Sequence, residues 1–168
     1  HEISLCLFFN RANHSKPISR FFSVVSRLGD GILWYFLILI LPIIYGLEAV
    51  NVALHMVLAG LLGLALYKYL KATTRRIRPY NYHKRIFKNS PALDKFSFPS
   101  GHIQHAISFT FILMHYYPEW ALLVVPFTAL VALSRLILGL HYPSDVLIGA
   151  TIGLAISQSS ILLLQHVR

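Results

Sequence analysis

The sequence predicts an all-α integral membrane protein with about five transmembrane helices and an N-terminal amphipathic, interfacial helix region. Two observations lead to this prediction. Hydrophobic residues make up 56% of the 168 residues and charged residues only 12%, against about 25% charged in an ordinary soluble domain. In addition, the apolar residues form long stretches, which must be helical because backbone groups cannot stay unpaired in hydrocarbon. We expect one domain over residues 1–168.

Five apolar stretches are long enough to cross a bilayer, for which about 17 to 25 residues suffice. They are residues 32–50, 52–70, 103–117, 120–140 and 146–164. The third counts as a span only if residues 100–102 start its helix. The expected order along the chain is interfacial helices in 1–31, two spans in 32–70, a basic connection in 71–102 and three spans in 103–168.

Residues 17–28 carry apolar side chains at helical spacing. Polar side chains fill the opposite face, and the apolar set is Ile18, Phe21, Phe22, Val25 and Leu28. This pattern is typical of a helix that lies in the headgroup layer. A helix packed against the bundle accounts for it equally well.

The charge of the chain is concentrated in two regions. There are 15 Lys+Arg against 6 Asp+Glu, for a net charge of +9. Eight of the basic residues fall within 71–95 and four within 11–27. This distribution, in so apolar a chain, excludes a nucleic-acid partner and leaves membrane lipids as the expected surroundings. With five spans both regions lie on one face, which the positive-inside rule places in the cytoplasm.

The first polar cluster is formed by Lys71 and Arg78, which lie seven residues apart. On a helix this spacing is two turns, so both side chains are predicted to project from one face of a helix that Pro79 ends. Two neighbouring cations repel each other unless an anion lies between them. A solvated basic cap at the end of a span is the alternative.

The second cluster is Pro99-Ser100-Gly101-His102, directly before the third span. Serine is a good helix N-cap, and the first N–H groups of a helix form an anion site together with the helix dipole. His102 would stand on that first turn beside the anion. An ordinary helix cap with an incidental histidine is the alternative.

The third cluster runs from Ser134 and Arg135 to His141 and Asp145. Arg135 lies near the end of an apolar span, where it must find a negative partner. Asp145 is predicted to accept a hydrogen bond from one nitrogen of His141, leaving the other nitrogen nucleophilic. The alternative is a buried ion pair that ties two spans together.

The three clusters together fit phosphoryl transfer without a metal, because cations and amides stabilise the phosphoryl oxygens while histidines act as nucleophile and acid. No cofactor is expected. The nine histidines form no His-Glu-x-x-His pattern, and the single cysteine, Cys6, excludes both a cysteine-based zinc site and an intramolecular disulfide.

The sequence resembles the type 2 phosphatidic acid phosphatases, also called lipid phosphate phosphatases. Their signature is Lys-x6-Arg-Pro, Pro-Ser-Gly-His and Ser-Arg-x5-His-x3-Asp. All fixed positions are present, namely Lys71, Arg78, Pro79, Pro99, Ser100, Gly101, His102, Ser134, Arg135, His141 and Asp145. Family members commonly have six transmembrane helices, so the resemblance also implies that the first is missing here.

The resemblance implies a role for each motif residue. His141 attacks phosphorus to form a phosphohistidine, Asp145 orients His141, and His102 protonates the leaving oxygen and then activates water. The residues implied in phosphate binding are Lys71, Arg78, Ser100, Gly101 and Arg135. The family's phosphatases use no metal.

The expected function is therefore that of an integral-membrane lipid phosphatase acting on a lipid phosphomonoester or diphosphate. Candidate substrates are phosphatidic acid, phosphatidylglycerophosphate, undecaprenyl diphosphate and the phosphate of lipid A. A lipid phosphotransferase is one alternative, and a non-catalytic phospholipid-binding or transport protein with the same pocket is another. The resemblance favours a bacterial inner membrane and a periplasmic site, whereas the basic residues favour the cytoplasmic face.

Overall fold

The chain folds into a bundle of helices, described by a computed structural model that covers residues 1–167; Arg168, the last residue of the predicted domain, lies outside the described residues. Within these residues there is no strand. The helices are α1 Glu2–Asn10, α2 Lys16–Arg27, α3 Leu33–Tyr45, α4 Glu48–Thr74, α5 Pro79–Tyr82, α6 Gly101–Tyr116, α7 Ala121–Ile137 and α8 Pro143–Val167. The predicted all-α fold is confirmed.

Four helical stretches among residues 1–167 are long and apolar enough to cross a membrane. They are Lys16–Tyr45, Glu48–Tyr82, Pro118–Ile137 and Pro143–His166. The third predicted span corresponds to α6, whose 16 residues extend about 24 Å, less than the hydrocarbon thickness of about 30 Å. Instead, α6 packs against α4, α7 and α8 and is a central helix of the bundle.

The first two predicted spans have different bounds in the structure. The prediction carried the first span to residue 50, but α3 ends at Tyr45 and is followed by Gly46, whose φ of 76° favours glycine. The second span is longer than predicted, because α4 already begins at Glu48 and continues to Thr74. Its last turn therefore reaches the polar residues beyond the apolar stretch.

The N-terminal region lies against the bundle. α2 packs on α7 and buries Ser19, Val25 and Ser26. Ile18 and Phe21, from the predicted apolar face, are largely exposed. α2 therefore packs against the bundle on a side that includes Val25 of the predicted apolar set. Ile18 and Phe21 lie outside this contact, and a position in the headgroup layer stays a prediction. A turn of π-helix with Gly31 at φ 135° separates α2 from α3.

Close packing of α6 on α8 depends on two glycines of α8. A Cβ atom on Gly149 would lie 2.6 Å from the carbonyl oxygen of Ser100, and one on Gly153 would collide with the carbonyl oxygen of Gln104. Gly149 and Gly153 thus permit the close approach of the two helices. This contact fixes the start of α6 beside the start of α8.

Candidate active site

The polar residues of the three motifs come from separate stretches of chain and meet at one end of the bundle. Lys71 lies in the last turn of α4, and Arg78 lies in the segment that follows. Ser100 caps α6, Arg135 lies in the last turn of α7, and Asp145 lies in the first turn of α8.

His141 lies among these residues, on the connection between α7 and α8. Its side chain is 1% exposed. Burial lowers the pKa of His141 well below its usual value, and the nearby Arg135, Arg78, Lys71 and His102 lower it further. The imidazole is therefore neutral at neutral pH, the state that a nucleophilic histidine requires.

The His141–Asp145 pair is adjacent but does not form the predicted hydrogen bond. Nδ1 of His141 lies 3.6 Å from Oδ2 of Asp145 and has no hydrogen-bond partner. The backbone N–H of Tyr142 donates to that oxygen at 2.9 Å. On the other side of the ring, Nη1 of Arg78 lies 3.3 Å from Nε2. Because arginine only donates, Nε2 accepts, which places the ring proton on Nδ1, facing Asp145.

Arg135 is a buried cation without a carboxylate partner. Its side chain is 1% exposed, its Nη1 donates to the hydroxyl of Ser26, and its Nε has no hydrogen-bond partner. No described carboxylate pairs with Arg135, because the nearby carboxylates pair with other groups; the expected negative partner stays a prediction. A buried guanidinium without a counter-ion is costly, so an anion bound beside it would stabilise this arrangement.

Lys71 and Arg78 do not share a helix face, contrary to the prediction. α4 ends at Thr74, where Arg75 takes a left-handed conformation with φ 48°, and Arg78 has an extended backbone. Pro79 starts α5 instead of ending α4. The two cations therefore enter the site from different stretches of chain.

The start of α6 is tied to α8 and lies in the cluster. The N–H of Ser100 donates to the carbonyl of Asp145 at 3.0 Å, while its hydroxyl is buried without a partner. The N–H groups of Gly101 and His102 belong to the first turn, where no acceptor exists within the helix. These N–H groups lie at the start of α6, where the sequence predicted an anion site.

Three acidic residues outside the motifs are the part of the site that sequence reasoning missed. In addition to the predicted Asp145, the acids that pair with motif residues or their neighbours are Glu2, Asp30 and Asp94, out of six acidic residues in the chain. Acidic residues are rare in so apolar a chain, and this rarity could have marked each of them as a candidate for the site. Asp94 is the single acidic residue among the cations of residues 71–100.

Two of these acids pair with predicted site residues. Oδ2 of Asp94 lies 2.5 Å from Nζ of Lys71, and the backbone carbonyl oxygen of Asp94 accepts a hydrogen bond from Nε of Arg78 at 2.9 Å. Asp30, from the π-helical turn before α3, contacts Nε2 of His102. Both carboxylates therefore occupy positions beside groups predicted to meet a phosphate.

An apolar groove of about 230 Å³ between α3, α4 and α6 leads to this end of the bundle. Ile38, Leu61 and Phe109 line its apolar part, and Asp94 and His102 lie at its polar end. An apolar chain with a polar head fits such a groove.

His105 is a second histidine of α6 and lies close to the site. Both ring nitrogens of His105 lie within 3.0 Å of a backbone carbonyl oxygen, one of Gly101 and the other of Gly60. These contacts agree with the structural role that its position one turn after His102 suggests.

Within residues 1–167 no group of three His, Cys, Asp or Glu side chains is arranged to hold a metal ion. The metal-free mechanism stays a prediction.

The fold and the site together define an all-helical integral membrane protein with a buried cluster of cations and histidines at one end of its bundle. The chain belongs to the PAP2 superfamily, whose sequence pattern matches residues 48–167.

Two curated relatives match part of the chain. An undecaprenyl-diphosphatase from Sulfolobus acidocaldarius is 27% identical over 112 residues, which cover 66% of this chain and 54% of the relative. A decaprenylphosphoryl-5-phosphoribose phosphatase from Mycolicibacterium smegmatis is 40% identical over 82 residues, 48% of this chain and 42% of the relative. The chain thus spans about half the length of these relatives.

Two solved structures are similar over nearly the whole chain. Aquifex aeolicus LpxE has a TM-score of 0.82 at 25% identity, with 95% of this chain and 94% of that chain covered. The transmembrane PAP2 type phosphatidylglycerolphosphate phosphatase from Bacillus subtilis has a TM-score of 0.67 at 22% identity, covering 99% and 97%. The second likeness shows the fold alone.

Proposed function

We propose that the protein is an integral-membrane lipid phosphatase that hydrolyses a lipid phosphomonoester or diphosphate through a phosphohistidine, without a metal. The observation that carries this proposal is a neutral, buried His141 beside Arg135, a buried cation that forms no ion pair with a described carboxylate. A phosphate group between them would supply both the missing negative charge and the electrophile.

In the first step Nε2 of His141 attacks phosphorus, the N–P bond forms, and the bond from phosphorus to the leaving oxygen breaks. His102 gives its proton to that oxygen. In the second step His102 takes a proton from water, the water oxygen attacks phosphorus, and the P–N bond breaks. Phosphate leaves, and His141 returns to its neutral form.

Lys71, Arg78 and Arg135 would hold the phosphoryl oxygens, together with the hydroxyl of Ser100 and the N–H of Gly101. Lys71 and His102 are paired with Asp94 and Asp30 in this structure. A phosphate that reaches these two groups takes the place of the carboxylates, so substrate binding involves opening both pairs.

The apolar groove supports a lipid as the substrate. It reaches the polar end of the bundle at His102, so an acyl or isoprenyl chain in the groove would bring its phosphate to the site. Two relatives carry the names undecaprenyl-diphosphatase and decaprenylphosphoryl-5-phosphoribose phosphatase. Both names refer to substrates with a long isoprenyl chain and a phosphate, the kind of molecule that would fit this groove.

A panel of lipid phosphates in one detergent tests the proposal. We expect the purified protein to release inorganic phosphate, in the presence of a chelator, from at least one of short-chain phosphatidic acid, phosphatidylglycerophosphate and an isoprenyl diphosphate. Glycerol 3-phosphate, which cannot fill the groove, serves as the control and should be a poor substrate. Absence of release from every lipid, or a requirement for added divalent metal, would overturn the proposal.

We further propose that the protein lies in a bacterial inner membrane with the site on the periplasmic face. Cys6 cannot report the side, because it is fully buried and burial raises its pKa to about 11. Lys84 is exposed on the basic connection. Lys84→Cys should react with an impermeant thiol reagent in intact cells with permeabilised outer membranes, while the parent protein stays unlabelled. Reaction in inverted inner-membrane vesicles alone would place the site in the cytoplasm.

A further inference from the structure

Asp145 has a partner that lies outside the three motifs. The carboxylate is fully buried. Its Oδ1 accepts a hydrogen bond from Nη1 of Arg76 at 2.8 Å, while its Oδ2 faces Nδ1 of His141 and the N–H of Tyr142. The two oxygens thus have separate contacts. Because Oδ1 is bound to Arg76, Oδ2 is the oxygen that faces His141.

Arg76 is itself held from several directions. Its Nη2 donates to Oε2 of Glu2 at 2.6 Å, and its Nη1 also donates to the hydroxyl of Ser144 at 2.6 Å. The guanidinium lies 3.9 Å from the centre of the Tyr142 ring. Glu2 closes the network, since its other oxygen accepts from the N–H of Ser144 at 3.1 Å. A planar guanidinium with donors on two sides suits this bridging position.

α1 is anchored so that Glu2 reaches Arg76. The side chain of Asn10 donates to the carbonyl oxygens of Phe87 and Ile137 at 2.9 and 2.8 Å and accepts from the N–H of Phe87 at 2.8 Å. Cys6 is fully buried and packs in a small apolar cluster with Ile86 and Tyr142. The N-terminal helix is therefore fixed to the connection after α4 and to α7.

We propose that Arg76, held by Glu2, is a positioning residue that fixes the carboxylate of Asp145 against the ring of His141. The inference rests on the proposed phosphatase function. Arg76 occupies a variable position of the Lys-x6-Arg-Pro motif, so the assignment comes from its contacts.

The physical reason is the burial of Asp145. A buried carboxylate that loses its cation either takes up a proton or turns to another donor. In both cases the negative charge beside Nδ1 of His141 is lost or displaced, and it no longer favours the ring orientation seen here. Arg76 makes no contact with the groups proposed to bind phosphate, so its loss should lower kcat and leave KM nearly unchanged.

Four single variants test this assignment. Arg76→Gln is expected to lower kcat about 10- to 100-fold, as is typical when a residue that orients a reacting group is lost. Arg76→Lys should restore part of kcat, because one ammonium can reach Asp145 but does not bridge to Glu2 as well. Glu2→Gln should lower kcat by less. Arg75→Gln is the matched control, because it removes the same charge from the neighbouring residue, which has no contact with Asp145.

A double variant separates positioning from a general loss of stability. If Arg76 acts through Asp145, Arg76→Gln should lower kcat little further in an Asp145→Asn background. An equal loss in both backgrounds would overturn the inference, as would wild-type kcat in Arg76→Gln.

The ring 15N resonances of His141, assigned with His141→Gln, give a readout that needs no activity. Arg76→Gln and Asp145→Asn should shift them in the same direction, whereas Arg75→Gln should leave them in place. Resonances unchanged in Arg76→Gln would overturn the inference. A wild-type protein that releases no phosphate would overturn the proposed function instead, and the resonances would still decide the role of Arg76.

Discussion

Replacement of His141 by alanine is expected to lower the release of phosphate from a lipid phosphate by roughly 10³-fold or more. Without the imidazole no N–P bond can form, and only a slow direct attack by water, assisted by the remaining cations, is left. The wild-type protein, mixed with lipid labelled in its phosphate and quenched in alkali, should carry an acid-labile phosphoryl group. The variant should carry none.

Because His141 is buried, the variant must be shown to fold. His141→Gln keeps a polar side chain of similar length and should be as inactive as His141→Ala, while its thermal unfolding in detergent stays close to that of the wild type. His115→Ala is the matched control, since His115 is exposed near the opposite end of α6 and should not affect turnover. Wild-type turnover in a folded His141 variant would remove this residue as the nucleophile.

Replacement of His102 by alanine is expected to have an effect that depends on the leaving group. For a lipid phosphomonoester, whose alkoxide leaves poorly without a proton, phosphate release should fall about 10²- to 10⁴-fold. For p-nitrophenyl phosphate, whose phenolate needs no proton, the first step should be affected far less. The second step still lacks its base, so a burst of p-nitrophenol should be followed by slow turnover and accumulation of the phosphoenzyme.

His105→Ala is the control for this comparison. His105 lies one turn further along α6 and contacts two backbone carbonyls, so its loss should affect both substrates to the same degree. An equal loss in the rate of the first step, measured as the burst of lipid alcohol and the burst of p-nitrophenol, in His102→Ala would show that His102 is not the acid of that step.

The fold class could be predicted from sequence because hydropathy is a local property of each stretch. The ends of the helices could not. Gly46 and Arg75 end α3 and α4 through left-handed backbone conformations, and nothing in the apolar pattern marks Arg75.

The candidate site was predicted in part. The motifs named the residues that meet around His141, because their types and spacing lie within short stretches of chain. The prediction that Lys71 and Arg78 share a helix face was wrong, since it extended α4 past Arg75. The predicted hydrogen bond between His141 and Asp145 was also wrong, because Nδ1 lies 3.6 Å from the carboxylate oxygen, which instead accepts from the N–H of Tyr142.

The sequence by itself determined that the protein is an all-helical membrane protein and which cations and histidines carry its motifs, because both follow from residue types along short stretches. Only the tertiary structure decided what each of these groups contacts. Asp30 meets His102 and Glu2 meets Arg76 across 72 and 74 residues of chain. Such pairs form because helices pack on one another, and no local pattern specifies them.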